Sequence, residues 1–312
     1  MSWFRGQRKE PGWLVLALGE NRLSYVHGRH VSAGRSEIAR YGSAEIDARP
    51  HAMEKAVRDL HIDRYQCATL LRPGDYQLLL VEAPTVPQAE LKSAIRWRIK
   101  DMLDYHVDDA VMDVLDVPPE SDLAGRSHSM YAVAAHGDVI KRCISAFEEA
   151  RVPLSVIDIP EVAQRNISAL HESDGRGAAL LYFNQEFGLH TITCRGELYM
   201  TRRMELGLKH ILGRQSDMRE ELFGRIVLEL QRSFDHFDRQ FHYVPVAKLL
   251  LGPEPEETGL LQHLKGNLDL PVERADLPQH LDFSGAGEPD AQTQWQLFHL
   301  FGASLRHEAK AL

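Results

Sequence analysis

The feature that most constrains this chain is a recurrence. Residues 13–18 are an apolar run, Gly19, Glu20, Asn21 and Arg22 have turn composition, and residues 23–27 read as the returning strand. Gly28, Arg29 and His30 then turn the chain into a short strand expected near Val31. The same order returns much later. Residues 178–183 are apolar, Asn184, Gln185 and Glu186 are turn-like, and residues 189–194 form the return. Arg195, Gly196 and Glu197 lead into a third strand at 198–201. Leu23 and Leu189, Val26 and Ile192, and Arg29 and Arg195 are each 166 residues apart. A three-strand unit recurring at half the chain length implies a duplicated, two-domain architecture, with a period too long for a solenoid.

Composition fits that reading. The chain has 312 residues, 44% apolar and 26% charged, enough for two ordinary globular domains. A formal charge of -9 argues against a nucleic-acid surface spread over the whole chain. No apolar stretch approaches the roughly 20 residues that span a bilayer, and the first residues lack a signal-peptide core. Three widely spaced cysteines form no C-x-x-C pair, which points to a reducing cytoplasm.

The pattern between the hairpins is mixed α and β. A strand is expected at 78–81, a helix at 88–104 with Leu91, Ile95, Ile99, Met102 and Leu103 on one stripe, and a strand at 110–117. A polar loop at 120–127 leads to a strand at 130–135, a helix at 138–150 and a short strand at 156–159. A helix with proline at its start follows at 160–170. Polar, glycine-containing residues 171–177 mark a domain boundary. Residues 1–12 are read as a flexible arm, 13–172 as the first domain and 173–312 as the second. In the second half, residues 219–241 carry the clearest helical stripe: Leu222, Ile226, Leu230, Phe234, Phe237 and Phe241. A buried strand at 246–251, a helix at 259–268, a strand at 271–274 and a final helix at 295–307 complete the expectation.

Three segments carry a family resemblance: AELKSAIRWRIKDMLDYHVDDAVMDV, VIDIPEVAQRNI and VLELQRSFDHFDRQF. With them the chain resembles the MshI-type, PilM-like proteins of MSHA and other type IV pilus assembly systems, within the actin-like ATPase superfamily. The resemblance spans residues 13–305. It implies an α/β, actin-like (ribonuclease H-like, duplicated) two-domain fold with a subdomain inserted in the first domain at about 77–153. It also implies a cytoplasmic protein at the inner face of the inner membrane, held by the short N-terminal tail of a PilN-like partner. The two hairpins are then expected to face one interdomain cleft, with the 252–257 loop at its edge.

Active members of that fold cradle nucleotide phosphates with hairpin turns and order the metal with Asp side chains. The expected first turn is D-x-G-S-S-S with a Lys soon after. Here it is Ala17, Leu18, Gly19, Glu20, Asn21 and Arg22, with Ser24 in the Lys place. The expected second turn, D-x-G-A-S-S, is Tyr182, Phe183, Asn184, Gln185, Glu186 and Phe187. The adenosine loop holds Gly252 followed by Pro253, Glu254, Pro255, Glu256 and Glu257. Proline removes N–H donors, and the glutamates repel polyphosphate. Gly19, Glu20, Asn21, Asn184, Gln185 and Gly252 therefore outline a degenerate cleft: a pseudo-ATPase scaffold with no cofactor. The alternative is an ATP- and Mg-binding switch or weak ATPase, with Glu20 or Glu186 as displaced carboxylate. A self-assembling filament is a third reading, for which no motif is legible.

Sixteen histidines invite a metal site, but no H-E-x-x-H or His/Cys pairing occurs, so none is expected. Ser24, Ser93, Cys67 and Cys143 lack the surroundings of a nucleophile. Asp101, Asp104, Asp108 and Asp109 read as a solvated helix end and turn, or as a docking patch for basic residues. Trp97 lies opposite the apolar stripe, sharing its face with Ser93, Lys100 and Asp104. It is either an interface anchor, with Lys100 and Asp104 beside it, or a residue covered by another part of the insert.

Overall fold

The computed structural model describes residues 9–19, 21–31, 34–46, 50–120, 128–173, 175–213 and 216–306. Most of the arm at 1–12, Glu20 and the loop at 121–127 lie outside them. In chain order the elements are β1 (Trp13–Leu18), β2 (Arg22–Arg29), β3 (Glu37–Glu45), α1 (Pro50–Asp59), β4 (Gln66–Leu70), β5 (Gln77–Glu82) and α2 (Gln88–Ile99). Then come β6 (Ala110–Asp116), β7 (Ser129–His136), α3 (Gly137–Glu149), β8 (Leu154–Asp158) and α4 (Pro160–Ala169). The remainder is β9 (Gly177–Phe183), β10 (Gly188–Cys194), β11 (Glu197–Met204), α5 (Leu208–Leu212), α6 (Ser216–Gln240), β12 (Val246–Leu251), α7 (Leu260–Asn267), β13 (Val272–Arg274), α8 (Leu277–His280) and α9 (Ala291–Ser304).

Two compact units result. One comprises residues 1–30, 40–160 and 303–312, the other 31–39 and 161–302. The first sheet runs β3-β2-β1-β4-β8 and the second β11-β10-β9-β12-β13. In both, an antiparallel hairpin (β1/β2, β9/β10) is extended by two parallel strands (β4 then β8, β12 then β13). The 166-residue recurrence is thus a repeat of topology. Strands covered on both faces need continuous apolar runs, and β9 buries all seven of its residues.

In the first unit, Leu14, Leu16, Leu23, Ile62 and Cys67 share a core with Phe147, Ala150 and Val152. A separate core lies under α2, where Ile95 and Ile99 meet Val81, Val114 and Met130 of the three-stranded sheet β5-β7-β6. The second core therefore ends with β7, and α3, which the sequence reading assigns to the insert, packs through Phe147 with the larger sheet. In the second unit, α4 lies on the sheet: the Gln164 side-chain amide donates to the Leu180 and Leu189 carbonyls at 3.1 and 3.0 Å. The turn composition at 171–177 marks where the chain reverses after α4, while the compact unit already begins at Glu161.

Several local expectations need correction. No strand forms at Val31; the third strand is β3, beginning at Glu37. Helix α2 stops at Ile99 instead of Asp104, so the 100° spacing does not carry Met102 into the core, and Met102 is 47% exposed. Helix α9 starts at Ala291 because the Asp290 carboxylate accepts from the Thr293 N–H at 2.7 Å, an N-cap the apolar pattern does not reveal.

Candidate functional site

The first hairpin turn is closed by its own backbone: the Gly19 N–H donates to the Arg22 carbonyl at 2.8 Å. The Asn21 carbonyl accepts from the Ile46 N–H at 2.8 Å, and Asn21 is exposed. Ser24, in the place expected for Lys, pairs its hydroxyl with that of Ser43 at 2.9 Å.

The second turn is more occupied. The Asn184 side-chain oxygen accepts from the N–H groups of Glu186 (2.8 Å) and Phe187 (2.9 Å). Both N–H donors are thus directed at the turn's own side chain. The Asn184 and Gln185 carbonyls accept from Leu208 N–H (2.7 Å) and Lys209 N–H (3.2 Å), the first free donors of α5. Lys209 also pairs with Glu186. The approach depends on Gly207, where a Cβ would overlap the backbone of Gln185 and Glu186.

At the position expected for the second Asp stands Tyr182. It is buried, its hydroxyl donates to the Trp295 carbonyl at 2.8 Å, and its ring stacks on Phe298 with centroids 4.5 Å apart. Burial holds the phenol protonated well above its ordinary range. Gly252 lies against that ring and donates its N–H to the Leu181 carbonyl at 2.7 Å. Asn184, Gln185 and Gly252 are thus brought to the same end of the second sheet, where β9 and β12 terminate in parallel.

Glu254 does not project toward solvent. It is 6% exposed, bonded to Thr258, and paired with Arg274 at 3.0 Å. Burial raises its pKa, opposed by Thr258 and Arg274. Its charge is therefore compensated within the protein, leaving Glu256 and Glu257 as the exposed acids of the loop.

A second site lies in the first unit. Ala17, Leu18, Thr69 and Leu71 at the strand ends, Arg72 and Asp75 in the link to β5, and Val139, Arg142, Cys143, Ala146 and Phe147 of α3 line a cleft of about 340 Å³. Its floor is apolar, and Arg72 is held by Asp75 at 3.0 Å. Burial raises the Cys143 thiol and pushes Cys67 up to about 12, so neither is a ready thiolate. The sequence reading expects a groove between the 77–153 insert and the first domain's core but does not single out these lining residues: β4 is five residues long and without alternation, and the lining converges only through folding.

Trp97 is 70% exposed on the outer face of α2, with the Lys100 ammonium 5.5 Å from its ring centroid. Asp104 accepts from Gln77 at 3.0 Å. None of Trp97, Lys100 and Asp104 lines the cleft. Among the described residues, no cluster of three or more acidic, His or Cys side chains could hold a metal ion, and no helix is long and apolar enough to cross a membrane.

No protein-family model and no curated protein sequence matches this chain. A solved structure does: that of a PilM–PilN type IV pilus biogenesis complex, with a TM-score of 0.69 at 18% identity over 96% of this chain and 98% of the other. The fold is actin-like. Two further structures are more distant. The cytoplasmic domain of EpsL, an inner-membrane component of the Vibrio cholerae type II secretion system, has a TM-score of 0.41 at 16% identity, over 62% of this chain and 71% of that one. A protein of unknown function with actin-like ATPase fold from Bacteroides thetaiotaomicron has 0.46 at 9%, over 95% and 99%. At the identity of the first match the likeness concerns the fold, and it includes the duplicated sheets that the 166-residue recurrence anticipates.

Proposed function

We propose that this chain is an MshI-type, PilM-like scaffold of a type IV pilus assembly machine. It docks the short cytoplasmic N-terminal tail of a PilN-like inner-membrane protein and carries a degenerate nucleotide cleft. Correspondence with PilM over 96% of the chain is the observation that carries the reading. The 340 Å³ cleft between the first sheet and α3 supports it, because an apolar floor with polar rims suits a short extended peptide. The inward-facing donors of the Asn184 turn, the buried Tyr182 and the closed Gly252 loop support the pseudo-ATPase part. On this reading the protein is cytoplasmic and reaches the inner membrane through its partner.

The experiment is calorimetry on the full chain with two titrants, Mg-ATP and a synthetic peptide of the PilN-like protein's N-terminal tail. The peptide is expected to bind, and Ala146→Arg, which fills the cleft, to weaken binding at least about tenfold. Mg-ATP is expected to give no heat at micromolar concentrations. Micromolar Mg-ATP affinity would replace the pseudo-ATPase with an ATP-binding switch, and a tail that binds Ala146→Arg unchanged would move the docking site elsewhere.

A further inference from the structure

Three charged side chains line the cleft of the first unit, and two of them neutralise each other: Arg72 donates to Asp75 at 3.0 Å. The third is Arg142 of α3. It is exposed at the cleft wall and, among the described residues, meets no acid. The neighbouring acids are engaged or turned away. Asp158, whose backbone carbonyl accepts from the Leu71 N–H, is held by Arg306 at 2.6 Å. Asp138 lies 3.7 Å from both Lys141 and His136. At 100° per residue, Asp138, Lys141 and Glu148 point away from the side of α3 formed by Val139, Cys143 and Ala146. Glu149 shares the side of Arg142 but lies two turns on, about 10.5 Å along the axis. The Thr69 hydroxyl is spent on the Leu16 carbonyl at 2.8 Å. The cleft therefore presents an apolar floor and one uncompensated cation.

A guanidinium is a planar fork of donors that fits a carboxylate with two parallel bonds, and beside an apolar surface that pair is stronger than in open water. At about 340 Å³ the cleft is at the small end of ligand sites, so it takes a few side chains and not a folded surface. We infer that Arg142 selects the docked segment: the cleft takes a short extended peptide whose apolar side chains sit on Leu18, Leu71 and Phe147 and whose one Asp or Glu reaches Arg142. A lysine or arginine in that place would face a like charge and be rejected. Arg142 thereby gives the tail docking proposed above, on which its role rests, a requirement for an acid at one fixed position.

A random seven-residue peptide library displayed on phage and panned against the full chain tests this, with Ala146→Arg as the filled-cleft control. Peptides held by the wild type and lost from Ala146→Arg are expected to share an Asp or Glu at one place among apolar residues. In fluorescence anisotropy, changing that acid to Asn or Gln should weaken binding at least about tenfold. Arg142→Gln should bind both forms equally, with its thermal melt unchanged because the side chain is exposed. Arg142→Glu should prefer the form in which Lys replaces the acid. Cleft-bound peptides without an acid, or an acid whose effect survives Arg142→Gln or disappears only with Arg72→Gln, would overturn the role of Arg142 and leave tail docking standing. Failure to recover any peptide sensitive to Ala146→Arg would overturn both.

Discussion

His190 sits in the middle of β10 with no exposed surface, and neither ring nitrogen has a hydrogen-bond partner. Burial, reinforced by Arg202, lowers its pKa to about 3. Burial does the same for His299, and for His171 with help from His280 and Lys248. These imidazoles stay neutral in the folded protein, while an unfolded chain protonates them near 6.5. The unfolded state therefore binds more protons as pH falls, and stability is lost between about 6.5 and 3. Each such histidine contributes a slope of about 1.4 kcal/mol per pH unit within that window. Urea midpoints for His190→Phe measured from pH 7 to 4 are expected to fall less steeply than wild type, by about one proton's worth. An identical slope would show that His190 gains solvent or a partner on protonation.

Helix α2 shows how one element serves two ends. Its inner residues hold the insert together, whereas Trp97 contributes little to the fold. Ile99→Ala is expected to cost about 2–5 kcal/mol by the cavity it leaves, and Trp97→Ala to stay within about 0.5 kcal/mol. Chemical denaturation of the two variants checks the contrast, and a large loss at Trp97 would mean that its face is covered. Helix α5 depends on a different device. The second hairpin turn caps its N-terminus through two carbonyls, and Gly207 leaves the room. Gly207→Ala is expected to destabilise by about 1–3 kcal/mol through overpacking, measured as a lowered denaturation midpoint.

At the scale of the molecule, two sheets of the same strand order form the two units, and the chain returns at its end to complete the first. Arg306 pairs with Asp158 at 2.6 Å and lies over the Trp13 ring, 5.7 Å from its centroid. The His30 ring bonds to the Leu305 carbonyl at 3.1 Å. Asp158 is only 10% exposed in its side chain and also accepts from the Ile159 N–H at 2.9 Å, so removing the guanidinium takes the cation from a nearly buried carboxylate that keeps its neutral donor. Arg306→Ala is expected to cost about 2–3 kcal/mol, and Asp158→Asn in the same chain to recover part of it. Thermal denaturation of the single and double variants reads this, and a silent Arg306→Ala would mean that the remaining partners of Asp158 suffice to hold its charge.

The order of strands and turns was legible because burial on both faces demands apolar runs, and turns demand Gly, Asn and Asp. Trp13–Leu18 and Val246–Leu251 emerge with the expected bounds. The helical stripe of α2 was legible too, but not its end: the helix stops at Ile99 with Lys100 as its cap, and periodicity carries no information about that break. That Ala17 and Tyr182 stand where the resemblance expects Asp could be read directly, since a side chain without a carboxylate is visible in any conformation. Tertiary structure alone decided what replaced them. Asn184 consumes two N–H donors, Tyr182 reaches Trp295 more than a hundred residues away, and Glu254 turns inward to Arg274. Likewise, residues 17–18, 69–75 and 139–147 share one cleft only because β1, β4 and α3 pack together. Local propensity fixes which segments are strands and helices, whereas partners distant in sequence are chosen by packing and by the need to satisfy every buried donor and acceptor.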